Sequence, residues 1–148
     1  GVQRRMTKLF SRNNNDFYDD YAHHPTEIKS ILSSVKNVYD KRMIIAVFEP
    51  HRYSRITSLK KEFSKSFTKA DLVILCPLYA AGEKKNPNFN LINFGKLISN
   101  KSKTQVIMVK NRNELSDYLK KNLIKDELVI GMGAGIISKW MAELKLIL

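Results

Sequence analysis

All three histidines fall into two short polar segments, Asp19-Asp20-Tyr21-Ala22-His23-His24-Pro25 and Glu49-Pro50-His51-Arg52-Tyr53-Ser54-Arg55. Imidazole exchanges a proton near neutral pH, and a planar guanidinium takes a carboxylate or phosphate through two parallel hydrogen bonds. Together these residue types suit proton transfer on an anionic substrate. Arg52 and Arg55 stand three apart at a predicted helix start, a spacing that puts both on one face to meet one anion. Cations are disfavoured at that end of the helix dipole, so their presence there asks for a reason.

Plainer readings stand beside these. His24 precedes Pro25 and reads as a helix cap. Adjacent side chains in an extended segment point apart, so His23 and His24 make a poor metal pair, and no metal site is expected. Lys60-Lys61, Lys84-Lys85 and Lys120-Lys121 read as solvated faces, and Arg4-Arg5 reads equally well as an exposed strand pair. The run Gly131-Met132-Gly133-Ala134-Gly135 follows a strand and opens a helix, as a dinucleotide-binding turn would. It lacks the third glycine, where Ser138 stands, and no further strand follows to carry a ribose-binding acid. A tight packing turn or an amide nest for an anion fits it better. A phosphate loop of the Gly-x-x-x-x-Gly-Lys-Ser/Thr type does not occur.

The elements that must hold these segments follow from periodicity. Val2 to Phe10 and Asp16 to Tyr21 suit two strands around the Asn13-Asn14-Asn15 turn. Met43–Phe48, Leu72–Cys76, Val106–Val109 and Leu128–Ile130 are short apolar runs, the pattern of strands buried on both faces. Between them, helical spacing recurs at Ile28/Ile31/Leu32/Val35/Val38, Ile56/Leu59/Phe63/Phe67, Leu91/Phe94/Leu97/Ile98, Leu115/Tyr118/Leu119/Leu123 and Ile137/Trp140/Met141/Leu144. Pro25 suits a first helical position with Glu27 in the first turn, and Asn111 with Glu114 is in capping-box register. Strand–helix alternation predicts one α/β domain over residues 1–148, Rossmann-like and three-layered, with a mainly parallel sheet and an N-terminal β-hairpin. In such a sheet the turns after strands gather on the carboxyl edge, where ligands bind. Both histidine segments, Tyr79-Ala80-Ala81-Gly82-Glu83 and the glycine run should meet there.

Composition narrows the class. The 148 residues are 43% hydrophobic, too apolar for disorder, and no run approaches the roughly 20 apolar residues of a membrane span. The excess of 26 Lys and Arg over 14 Asp and Glu, +12 in all, points to anionic partners. Neither a nucleic-acid reader motif nor a membrane anchor is evident, and the aromatics sit mostly at core spacing. The single Cys76 excludes an internal disulfide and fits a reducing cytoplasm. Residue 1 is Gly rather than Met, and the chain reads as a processed or excised piece of a longer protein.

Gly1-Val2-Gln3-Arg4-Arg5, Asp19-Asp20-Tyr21-Ala22-His23-His24-Pro25-Thr26-Glu27, Pro50-His51-Arg52-Tyr53-Ser54-Arg55, Tyr79-Ala80-Ala81-Gly82-Glu83 and Gly133-Ala134-Gly135 occur in that order. Together they resemble the carboxy-terminal domain of the Mur ligases of peptidoglycan synthesis. Within that family they resemble the UDP-N-acetylmuramate–L-alanine ligases more than the muropeptide-recycling ligases, which typically carry Arg-Ser-Asn-Thr at positions 51–54. The likeness spans nearly the whole chain. Met6, Ile136 and Ser138 depart from the family pattern, which has Phe after the paired arginines and Asp and Gly in the last turn.

The resemblance implies a three-domain enzyme whose UDP-sugar domain and ATPase domain, with its phosphate loop and Mg2+, are absent from this chain. This domain would present the amino acid. By resemblance, Arg52 and Arg55 would hold the alanine carboxylate, and Tyr21, His23 and His51 would line the same pocket. His23 would take the ammonium proton, Asp20 would contact the ATP ribose, and Arg5 would reach the nucleotide. The implied reaction joins L-alanine to UDP-N-acetylmuramate through an acyl phosphate at the expense of ATP. The domain alone would be inactive and would hold neither ATP nor Mg2+ by itself.

Overall fold

The hairpin turn shows how closely sequence dictates the first element. In the computed structural model, which describes residues 5–148, Asn13 and Asn14 both take left-handed φ angles, 54° and 60°. Asparagine tolerates that region, and a two-residue turn with both φ positive matches strand twist. The turn joins β1 (Thr7–Arg12) to β2 (Asn15–Asp20) antiparallel, so Asn15, expected in the turn, is instead a buried strand residue. Its Oδ1 accepts the Glu127 N–H at 3.0 Å. The part of the expected first strand at Val2, Gln3 and Arg4 lies outside the described residues.

After α1 (Pro25–Val38) come β3 (Ile44–Phe48), α2 (Tyr53–Ser58), α3 (Lys60–Ser64), β4 (Leu72–Leu75), α4 (Leu91–Ser102), β5 (Gln105–Met108), α5 (Arg112–Asn122), β6 (Leu128–Met132) and α6 (Ile137–Ile147). The sheet order is β1-β2-β6-β3-β4-β5, parallel at every pairing except that of the hairpin. Side chains alternate between its faces. Ile44, Ala46, Phe48, Val73, Leu75, Leu128, Ile130 and Met132 enter one core with Ile28, Leu32, Phe63, Phe94 and Ile98. Ile45, Val47, Leu72, Ile74 and Val129 enter the other with Leu115, Leu119, Ile137, Met141 and Leu144. The result is the three-layer, mainly parallel α/β fold with an N-terminal hairpin that the sequence predicts.

Two details differ from expectation. The helix expected over Ile56 to Phe67 is broken at Leu59 (φ −115°, ψ 25°) and ends at Ser64. The Ser64 and Ser66 hydroxyls donate to the Lys61 and Glu62 carbonyls, offering the backbone a turn in place of another helical residue. Phe67 keeps its core position from that turn. β5 lacks the full burial its apolar run implies: it is an edge strand, and Gln105 and Met108 are exposed.

β6 lies between β2 and β3, and the chain leaves its end for the opposite face of the sheet. α1 and α2, which follow β2 and β3, lie on one face, whereas α6 follows β6 onto the other. That divergence opens a crevice at the carboxyl edge.

Candidate functional site

Three strand ends meet at this crevice, and each is pinned by a carboxylate bonded to backbone amides. Asp20, buried at the end of β2, accepts the Met6 N–H through Oδ2 at 2.9 Å and the Ala22 N–H through Oδ1 at 2.8 Å. Glu27 closes the first turn of α1, its Oε1 accepting the His24 N–H at 3.0 Å and the His23 N–H at 3.2 Å. These bonds hold its pKa below the usual carboxylate range even though burial acts the other way. Glu49, buried just after β3, accepts Gly135 N–H at 2.9 Å and Ile136 N–H at 3.0 Å, tying the start of α6 to β3. Burial pushes its carboxyl above the usual value, while those amides pull it back.

The histidines converge across the crevice. The His23 ring lies 4.9 Å from Tyr21, 4.9 Å from His24 and 5.7 Å from His51. Their partners fix opposite tautomers. His23 Nδ1 faces the Tyr21 carbonyl at 2.8 Å, an acceptor only, so Nδ1 carries a proton and, in the neutral ring, Nε2 is the acceptor. His51 Nδ1 receives Arg55 Nη1 at 2.7 Å, and a guanidinium only donates, so Nδ1 is bare and Nε2 carries the proton. Burial first, and then the charge of Arg55, lower the His51 pKa to about 4. His24 is lowered by the same causes in the same order. One imidazole thus presents an acceptor and the other a donor, side by side.

His51 is also held from its far face. It forms a parallel bridge with Tyr79, whose N–H donates to the Pro50 carbonyl and whose carbonyl accepts the Arg52 N–H, both at 2.8 Å. The Tyr79 ring stacks on the imidazole at 5.5 Å and 16°. Farther along the same loop, Glu83 accepts the Ser54 N–H at 3.1 Å and the Ser54 hydroxyl, and these bonds lower its pKa. An acid at the start of α2 answers the question raised by its two arginines.

Arg52 and Arg55 do not share a helical turn as expected. Arg52 precedes α2, exposed, with φ at 73°, whereas Arg55 lies inside the helix and turns back to His51. Beside the histidines, a cavity of about 360 Å³ is lined by Arg5, Asp20, Tyr21, Thr26, Glu27 and Ser30. Tyr21 belongs to both regions, touching His23 and lining the cavity. The residues expected to serve one substrate and those expected to serve the nucleotide are thus neighbours on one edge.

Sequence reasoning did not single out Glu49, Tyr79 or Glu83 as individual site residues. For Glu49 the available signal was a carboxylate directly after an all-apolar strand.

Residues 4–135 match the family model described as Mur ligase, glutamate ligase domain. The chain belongs to the Mur ligase family. It is 50% identical over 144 residues to the UDP-N-acetylmuramate–L-alanine ligase of Pelagibacter ubique and 39% identical over 149 residues to that of Rickettsia felis. Each alignment covers 97% of this chain but 31% of the relative, so this Mur ligase chain spans about a third of their length. Among solved structures, the UDP-N-acetylmuramate-alanine ligase of Thermotoga maritima superposes with a TM-score of 0.72 at 26% identity, over 99% of this chain and 30% of that one. A murein peptide ligase from Psychrobacter arcticus shares the fold, with a TM-score of 0.77 at 19% identity over 99% of this chain and 30% of that one.

Proposed function

We propose that this chain is the carboxy-terminal, amino-acid-presenting domain of a cytoplasmic ATP-dependent ligase that joins L-alanine to UDP-N-acetylmuramate. The observation that carries the reading is the adjacency, through Tyr21, of an imidazole–guanidinium cluster and the cavity holding Arg5 and Asp20. Amide synthesis from an amine and an activated carboxylate needs the two brought together with the amine neutral.

In this reading the exposed Arg52 and the His51-bound Arg55 take the alanine carboxylate, and the His51 Nε2–H adds a neutral donor. His23 Nε2, left bare by the Tyr21 carbonyl, takes the ammonium proton. Arg5 and Asp20 face the nucleotide. Both Asp20 oxygens already accept a backbone amide, so it would meet a ribose hydroxyl with its remaining lone pairs, as a rigid rim. ATP supplies the phosphoryl group that makes the muramate carboxylate an acyl phosphate. The alanine amine attacks its carbonyl carbon, the amide C–N bond forms, and the carbon–oxygen bond to phosphate breaks. The phosphate loop, the Mg2+ site and the UDP-sugar site lie in the remaining two thirds of the ligase, and this domain alone is inactive.

The test is phosphate release from ATP with Mg2+, UDP-N-acetylmuramate and L-alanine, comparing this chain with the full-length ligase that contains it. Alanine-dependent release from the longer protein alone is expected. Release that responds to a different amino acid, or to none, would overturn the assignment.

A further inference from the structure

The glycine turn between β6 and α6 is packed directly against the histidine side of the site. Gly135 is anchored from below by Glu49, two residues before His51. A Cβ built on Gly135 would stand 2.6 Å from Tyr79 Cγ, 2.9 Å from Tyr79 Cδ1 and 2.8 Å from Glu49 Oε1. The only glycines with positive φ among the described residues are Gly82 and Gly133, so an alanine at 135 is refused by space and not by backbone conformation. The ring filling that space is the one that lies on His51. Imidazole rotates about its second side-chain torsion in a broad, shallow well, so a hydrogen bond at one ring nitrogen needs a contact on the ring face to hold the plane.

We propose that Gly135 and Tyr79 are positioning residues for His51. The bare α-carbon, anchored by Glu49, leaves room for the Tyr79 ring to lie flat on the imidazole and keep Nδ1 in the plane of the Arg55 bond. That bond fixes both the proton on His51 Nε2 and the direction of the Arg55 guanidinium. The proposal rests on the reading of the site given above, in which His51 and Arg55 hold the amino acid. Glu49 cannot give way instead, since it is buried and bonded to two amides.

The experiment uses the full-length ligase and follows alanine-dependent phosphate release. Gly135→Ala is expected to raise the alanine KM about tenfold while the ATP KM stays within about twofold, a split that general damage to the fold would not give. In a Tyr79→Ala background the same substitution should add clearly less than its tenfold, because the ring is gone and only the contact with Glu49 Oε1 remains for the methyl to meet. Tyr79→Phe, which keeps the ring, should restore the alanine KM that Tyr79→Ala loses. An unchanged alanine KM, or effects that multiply in the double variant, would overturn the proposal.

A second readout does not depend on alanine. In ligase labelled with 15N-histidine, with His51 assigned through His51→Gln, the wild-type Nδ1 should give the signal of an unprotonated nitrogen. Tyr79→Ala should mix the two tautomers, as should Gly135→Ala where it folds, and an unaltered His51 signal would overturn the proposal. If the wild-type ligase released no phosphate with alanine, the functional reading would fall while this spectrum still decided the positioning role.

Discussion

The segments that follow β2 and β3 carry the same kinds of residue to the same edge, yet they are built in opposite ways. The first, residues 20–27, is satisfied largely within itself, with bonds from outside arriving at Asp20 from the Met6 and Gly133 amides. Asp20 holds Ala22, the Tyr21 carbonyl holds His23, and Glu27 holds the amides of His23 and His24. The second, residues 49–55, draws on distant chain: Glu49 on Gly135 and Ile136, Arg52 on Tyr79, and Ser54 on Glu83. Its local bonds are those from Arg55 to the His51 ring and carbonyl and the helical bond from the Ile56 N–H to the Arg52 carbonyl. A segment held largely by its own bonds keeps its geometry as long as its helix stands, whereas a borrowed one is set by two loops and can be disturbed from either. The acceptor imidazole therefore sits on the sturdy segment and the donor imidazole on the adjustable one.

The largest expected effect comes from cutting the Arg55–His51 contact inside the borrowed segment. In the full-length ligase, Arg55→Ala removes a charge-assisted partner of the substrate carboxylate and frees His51 Nδ1. Hydrogen bonds to charged groups are worth about 1.5–3 kcal/mol, so the alanine KM should rise on the order of 10- to 100-fold. Arg55→Lys should recover little, because an ammonium lacks the planar fork. Steady-state kinetics with alanine and ATP varied in turn would check this, and an equal rise in both KM values would remove Arg55 from the amino-acid pocket.

The next pair of substitutions compares the segments directly. Glu27→Ala removes the carboxylate that closes α1, and loss of such a cap costs about 1 kcal/mol. Urea unfolding should show that loss while the His51 NMR signal keeps its position. Glu83→Ala should do the reverse. Glu83 lies half-buried at the surface, so little stability is expected to change, but release of Ser54 should shift the His51 and Arg55 signals. If Glu27→Ala moved His51 as far as Glu83→Ala does, the contrast between a local and a borrowed segment would fail.

The same contrast explains what was legible from sequence alone. The sheet, its hairpin and the helices came from periodicity, because an all-apolar run such as Ile44–Phe48 has few other places to go. His23 and Glu27 were readable because their partners lie within four residues. The shared helical turn expected of Arg52 and Arg55 fails because helical spacing assumes both lie in the helix, whereas a bridge to Tyr79 holds Arg52 outside it at φ 73°. Glu49 and Tyr79 stand out only as members of their segments, not singly, for the same reason. Their partners at residues 135 and 51 are remote in sequence, and composition carries no mark of such a contact.

The smallest effect, and the one that isolates the donor imidazole, is on stability against pH. His51 stays neutral in the folded chain down to about pH 4, against an ordinary value of 6.5. Between those limits the unfolded chain binds a proton that the folded chain refuses, so stability falls as the pH drops from 6.5 toward 4 and this contribution is fully present above 6.5. His24, lowered in part by Arg55 across the crevice, acts in the same direction. The lowered Glu27 and Asp16 withdraw their contributions only as the pH falls through and below the ordinary carboxylate range. Glu49, whose carboxyl is raised, opposes them, since its folded form keeps a proton that the unfolded form has released. The difference between the wild-type chain and His51→Gln cancels what the two share. Because the imidazole is partly open to solvent, the residual slope should amount to only about 1 kcal/mol across the window. Urea midpoints at half-unit steps from pH 7 to pH 4 would measure it. A wild-type chain that gained stability relative to His51→Gln on acidification would mean that His51 is charged when folded, and the donor–acceptor contrast between the two segments would be wrong.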